Sequence, residues 1–260
     1  MGEAIRTRRV GGIWEVTLDR PKANAIDLAT SRTMGDVFAE FRDDPGARVA
    51  IIRAAGDKFF CAGWDLKAAA DGAAVDGDYG VGGFGGIQEL RDLNKPIIAA
   101  VNGIAVGGGF ELALSADLIV AADHAQFALP EIRAGTIADA ASVKLPKRIP
   151  YHVAMDLLLT GRWLDAAEAK ALGLLREVVP AADLVDTTWK LAQLLESGPP
   201  LVYEAIKEVV RAAEGETFQT TMNRITRRQL ATVDVLYTSE DQLEGARAFA
   251  EKREPRWQGR

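Results

Sequence analysis

Glu111 follows, after Phe110, the triple glycine Gly107–Gly109 in the stretch Pro96–Asp117, PIIAAVNGIAVGGGFELALSAD. An apolar run of β type, Ile97 to Val101, leads into the glycines, and a helix-like pattern starts at Phe110 and Glu111. Backbone N–H groups at a helix start have no partner within the helix and favour negative charge. Such a junction can stabilise a developing oxyanion, and a carboxylate beside it suggests proton transfer on a carbonyl compound. Taken alone, Glu111 is equally a helix-start carboxylate placed against the helix dipole. A second glutamate shifts that balance. Glu131 lies in FALPEIRAG among apolar residues, where burial raises a carboxyl pKa and lets it hold a proton near neutrality. Two glutamates in unlike surroundings form an acid/base pair.

A third element is KFFCAGWDL, Lys58–Leu66, whose Ala62-Gly63-Trp64 turn follows a predicted strand. Backbone N–H groups of Trp64 and Gly108, from separate loops, would make an oxyanion hole. Composition alone also permits a plain strand-to-helix connection there.

These residues need elements to hold them. Residues 4–20 read as two short strands about Gly11-Gly12, with Trp14, Val16 and Leu18 on one face. Asp27–Arg42 has helical spacing, Val49–Ala54 reads as a buried strand, and Phe59–Leu66 as a loop into a helical run Asp65–Ala70. Residues 71–86, rich in Gly and Asp, read as a mobile loop, and GIQELRDLN, Gly86–Asn94, as a helix. Asp117–Ala122 and Phe127–Leu129 are further strands. This alternation predicts an α/β fold with a mostly parallel sheet. After Pro150 the pattern is almost wholly helical, with capping boxes at Asp165–Glu168 and Ser239–Gln242, and an apolar stripe at Leu243, Ala246, Phe249 and Ala250.

Composition bounds the function. The chain has 260 residues, a net charge of -6 and 48% hydrophobic residues, ordinary for a globular protein and unlike a nucleic-acid binder. One cysteine, Cys61, and two histidines, His124 and His152, leave no disulfide framework and no metal-like spacing. No run has the length of a signal peptide core or a membrane span, so a cytoplasmic location is expected. Tyr203 and Lys207 match the Tyr-x-x-x-Lys pair of short-chain dehydrogenases, but residues 10–30 lack the glycine-rich dinucleotide turn that class needs.

RPKANAID (Arg20–Asp27), AGWDLKAAA (Ala62–Ala70), AAVNGIAVGGGFELALSAD and FALPE occur in this order. Together they resemble the crotonase (enoyl-CoA hydratase/isomerase) family, over essentially the whole chain. PKANAID, GWDLKAAA and the closing AFAEKREPRWQGR carry a narrower likeness, to dehydratases in it whose acyl chain bears a trimethylammonium group. The resemblance implies a ββα spiral core, residues 1–195, and a C-terminal helical trimerisation region, residues 196–260. It implies an acyl-CoA thioester substrate, no cofactor apart from the coenzyme A of that substrate, and a homo-oligomer, a trimer or a dimer of trimers. By motif position it makes Glu111 and Glu131 catalytic and gives the oxyanion hole to Trp64 and Gly108. Coenzyme A would lie along Lys22, Ala23, Ala25, Ala62, Asp65 and Leu66, with Lys252 approaching its phosphates.

The chain departs from the family pattern after Glu131. Ala138 stands where a proline is expected, Ala140-Ala141-Ser142 cover a Gly-Gly pair, and Lys144 takes an arginine's place. This segment is expected to shape the acyl pocket beside Glu131. A non-catalytic acyl-CoA binder and a general enoyl-CoA hydratase are the alternatives the sequence leaves.

Overall fold

The computed structural model describes residues 4–65 and 77–260. Strands β1 (Ile5–Val10) and β2 (Ile13–Leu18) form a hairpin about Gly11, whose φ of 58° suits glycine. Parallel strands β3 (Val49–Ala54), β5 (Ile97–Val101), β7 (Leu118–Ala122) and β10 (Glu177–Val179) extend it into a six-stranded sheet, ordered β1-β2-β3-β5-β7-β10. A second sheet has the order β4-β6-β8-β9, from Phe59–Cys61, Ile104–Val106, Gln126–Ala128 and Leu164–Asp165. Three consecutive strand pairs, β3/β4, β5/β6 and β7/β8, each give one strand to each sheet. That is a ββα spiral.

Burial on both faces explains why the central strands read as unbroken apolar runs. In β5, Ile97, Ala99 and Val101 enter the main core, while Ile98 and Ala100 enter a second layer. That second layer is closed by Leu184, Leu191 and Ala192. The helix α1 (Leu28–Asp43) starts at Asp27, whose carboxylate accepts the Thr30 N–H at 2.8 Å, and buries Met34, Phe38 and Phe41. The short helix α2 (Gly108–Leu114) follows β6 through Gly107, and α3 (Glu131–Ala134) follows β8.

Several expectations need correction. Gly86–Asn94 is a chain of turns: positive φ at Gly85, Gly86 and Asp92 breaks the helical path, and the Glu89 N–H goes back to the Gly82 oxygen. Phe59–Leu66 is not all loop, since Phe59–Cys61 is β4, paired with β6. The helical run expected over Asp65–Ala70 lies almost wholly outside the described residues, as does the first part of the 71–86 loop. Residues 135–148 are no simple pocket wall: they contain α4 (Asp139–Arg148), with Pro146 in its last turn. The helices α5 (Tyr151–Thr160) and α6 (Ala166–Ala171) follow it. The second half also contributes β9 and β10 to the sheets. The Asp165 and Ser239 caps form as expected, accepting the Glu168 and Gln242 N–H groups.

After α7 (Leu184–Glu196) come α8 (Pro200–Ala213), α9 (Phe218–Thr226), α10 (Ala231–Thr238) and α11 (Glu240–Glu251). The helices α8, α9 and α10 share a small apolar cluster about Ala205, Leu230 and Val233, with Ile225 packed against it. Among the described residues no helix is long and apolar enough to cross a membrane.

Candidate active site

Two loops meet at Gly63. The first leaves β4 through Ala62-Gly63-Trp64 and is stitched to the segment before α1. The Ala62 N–H donates to the Ala23 oxygen at 3.0 Å, Ile26 N–H to Gly63 O at 2.8 Å, and Asp65 N–H to Ile26 O at 2.9 Å. This pattern leaves the Trp64 N–H outside the ladder. The second loop leaves β6 through Gly107, whose φ of 57° and ψ of −129° only glycine adopts readily. Gly63 has φ of 81°, and a Cβ there would lie 2.7 Å from Val106 O and 3.0 Å from Gly108 N. The loops therefore touch with no room for a side chain. Among the described residues neither the Trp64 nor the Gly108 N–H donates to an acceptor. This is the arrangement an oxyanion hole requires.

The glutamates flank that junction. Glu111 lies in the first turn of α2, only 7% exposed, and its Oε1 accepts the Ala141 N–H at 2.9 Å. Burial raises its pKa; the Ala141 hydrogen bond opposes this, and the Asp139 charge adds to it while Lys144 counters. Glu131 opens α3 and reaches back over Gly107, where a Cβ would come within 2.6 Å of its Oε1. Its Oε2 is buried and, among the described residues, has no hydrogen-bond partner. Burial first, and then the neighbouring Glu111 and Asp139 charges, push its pKa up to about 7. The two carboxyls thus differ as the sequence suggested. Glu111 is held by the Ala141 and Ala140 N–H groups, which favour its ionised form; Glu131 has only its own backbone N–H, and its Oε2 has no partner among the described residues.

A carboxyl with one oxygen buried in this way makes stability depend on pH. In the unfolded chain Glu131 titrates near the ordinary glutamate value, so between there and about pH 7 the folded form binds the extra proton. Its stability contribution is complete below the unfolded pKa and is lost as pH rises through about 7. Glu131→Gln, which resembles the protonated acid, is expected to melt above the wild type at pH 8. The difference should shrink steadily below pH 7 and vanish near pH 4. Equal melting temperatures at pH 8 would mean that folding does not raise the Glu131 pKa.

The remaining expected contacts divide. Lys22 is exposed with φ of 82°, and Ala23 and Ala25 are half-buried on the same loop. Asp65 is engaged by Arg20, which also holds the Ala25 oxygen and Asp27 at 2.7–2.8 Å. Asn24, in the left-handed region at φ of 51°, donates to Ala55 O and Phe59 O. Arg20, Asn24 and Asp27 therefore tie the loop down, with Ala23 and Ala25 half-buried between them. Arg20 and Asn24 were not expected to matter; the signal was their spacing to Asp27 within one short motif. Leu66 lies outside the described residues. Lys252 stands apart as the exposed left-handed cap of α11.

Aromatic rings gather at the same junction. A Cβ on Gly108 would lie 2.4 Å from Phe84 Cε1, and Tyr79 meets Phe84 edge-on with centroids 5.5 Å apart. The indole Nε1 of Trp64 is buried without a hydrogen-bond partner among the described residues.

Known proteins resemble the chain over essentially its whole length. The enoyl-CoA hydratase/isomerase family profile matches residues 8–260. The carnitinyl-CoA dehydratase of Salmonella arizonae is 52% identical over 260 residues, and that of Escherichia coli K12 51% identical over 261, each covering both chains entirely. The enoyl-CoA hydratase structure from Mycobacterium tuberculosis H37Rv superposes with a TM-score of 0.88 at 39% identity over 99% of each chain. The carnitinyl-CoA hydratase structure from Mycobacterium avium does so with a TM-score of 0.77 at 39% identity over the whole of both chains.

Proposed function

The chain belongs to the enoyl-CoA hydratase/isomerase family, and from that premise we propose that it reversibly adds water to an enoyl-CoA thioester, interconverting crotonobetainyl-CoA and carnitinyl-CoA. The observation that carries this reading is the asymmetry of the glutamates: Glu111 accepts a backbone hydrogen bond, while Glu131 keeps a buried, unpartnered Oε2. An isomerase that only shuttles one proton has no need of two such groups. Hydration needs a base and an acid together.

The chemistry follows from the surroundings of each group. The thioester oxygen sits between the Trp64 and Gly108 N–H groups, which makes Cβ electrophilic and stabilises the enolate that develops. Each such donor is worth on the order of 3 kcal/mol of barrier. Glu111, as carboxylate, takes a proton from water while the oxygen bonds to Cβ. The π electrons of the Cα–Cβ bond move toward the thioester, and Cα then takes a proton from Glu131, protonated up to about pH 7. One proton returns from Glu111 to Glu131 to close the cycle. Dehydration runs the same steps backwards. No cofactor enters beyond the coenzyme A of the substrate.

The trimethylammonium group of this substrate calls for aromatic faces, and Trp64, Tyr79 and Phe84 supply them. Trp64→Ala keeps the backbone N–H but removes the ring. It is expected to raise KM for crotonobetainyl-CoA about tenfold while changing KM for crotonyl-CoA little. Equal effects on the two thioesters would take the ring out of cation recognition and favour a general enoyl-CoA hydratase.

We also infer a homo-oligomer acting in the cytoplasm. Phe218 and Phe249 are 80% and 88% exposed on α9 and α11, and a neighbouring copy would cover such rings. Lys252, one turn beyond Phe249, would then face a neighbour's coenzyme A.

A further inference from the structure

The segment that departs from the family pattern grips the helix of Glu111. Ala141, Lys144 and Arg148 fall on one face of α4 at intervals of three and four residues. All three reach α2. The Ala141 N–H donates to Glu111 Oε1 at 2.9 Å, Lys144 Nζ donates to Ser115 Oγ at 2.6 Å, and the Arg148 guanidinium donates to the Leu114 oxygen. Ser115 Oγ in turn donates to the main-chain oxygen of Glu111 at 2.8 Å. Glu111 is thus held at its carboxylate and at its backbone by the same facing helix.

We propose that Lys144 is a positioning residue for the reaction, fixing the Glu111 carboxylate in place through Ser115 and the far end of α2. The proposal rests on the reading of Glu111 as the base. Among the described residues no hydrogen bond or ion pair joins Lys144 to the oxyanion loops or to Glu131, so its effect belongs on turnover rather than on thioester binding.

Its charge acts in the same direction. Facing Lys144 are Arg148 on its own helix, Glu111 on α2 and Glu214 just beyond α8; Asp139, at the start of α4, faces Glu111. Burial, then Arg148, bring the Lys144 ammonium down to about 8, while Glu111 and Glu214 oppose the change. The ammonium in turn favours the ionised form of Glu111. Its removal makes Glu111 hold its proton to higher pH.

The test compares Lys144→Met, Lys144→Arg and Ser115→Ala with the wild type, using crotonobetainyl-CoA and full pH profiles of kcat. Lys144→Met is expected to lower kcat about tenfold, leave KM unchanged and move the acid limb of the profile upward. Lys144→Arg, which restores a cation and a donor, should return both toward the wild type. Ser115→Ala keeps the ammonium and should lower kcat with the acid limb in place, which keeps the proposal open to failure if Lys144→Met does not fold. An unmoved acid limb in Lys144→Met, or a wild-type kcat in Ser115→Ala, overturns it. Glu111→Gln separates the two levels: if that variant keeps turnover, the reading of the base has failed, whereas its loss beside a normal Lys144→Met profile sinks the positioning role alone.

Discussion

Glu111→Gln and Glu131→Gln each lower kcat for hydration by about 10²- to 10⁴-fold while thioester binding survives, the range expected for removing a positioned acid or base. The two variants fail for different reasons. In Glu111→Gln the amide oxygen can still accept the Ala141 N–H, so the local geometry persists, but no group remains to take a proton from water. In Glu131→Gln the amide mimics the protonated acid in its buried setting but cannot deliver a proton to Cα. That second variant should therefore be more stable than the wild type at pH 8 and nearly inactive. Few structural roles give that combination. Because the two groups act in one cycle, the double variant should lose little more than either single one. A Glu131→Gln protein with wild-type kcat would mean that the proton reaches Cα from elsewhere.

Gly63→Ala is the second large effect. Its φ of 81° already disfavours a side chain by roughly 1–2 kcal/mol. The new Cβ would also lie 2.7 Å from Val106 O and 3.0 Å from Gly108 N, and these are main-chain atoms that move only if the loop moves. Prying the loops apart turns the Trp64 and Gly108 N–H groups off a common oxygen. Losing the aim of one donor lowers kcat by about 10²- to 10³-fold. Gly173→Ala is the control: φ there is 84°, but a Cβ would meet nothing within 4 Å. It should cost similar backbone strain, read as a lower melting temperature, with kcat intact. If Gly63→Ala loses only stability and keeps kcat, the contact between these loops does not serve the oxyanion.

Much of the site was legible because its chemistry sits in short motifs. The triple glycine, Glu111 and the proline before Glu131 are local signals, and the central strands announce themselves as apolar runs buried on both sides. The Arg20 clasp was not legible, because Asp65 lies 45 positions away and only the spiral brings it near. Helix α4 was hidden by Pro146 and by a sequence in which Ala141 and Leu145 are the buried residues. Gly86–Asn94 misled in the opposite sense: Ile87, Leu90 and Leu93 are buried as a helix would bury them, but they hang from turns. The departures from the family pattern look different once folded. Ala141 supplies the N–H that holds Glu111, so the altered wall fixes the carboxylate proposed as the base.

The most direct test follows the protein with crotonobetainyl-CoA in water labelled with heavy oxygen and deuterium, reading the thioester by mass. The expected product is the carnitinyl thioester, carrying one labelled oxygen at Cβ and one deuterium at Cα. A thioester that binds but returns unchanged, or one whose double bond has shifted with no oxygen gained, would show that the protein is not a hydratase of this substrate.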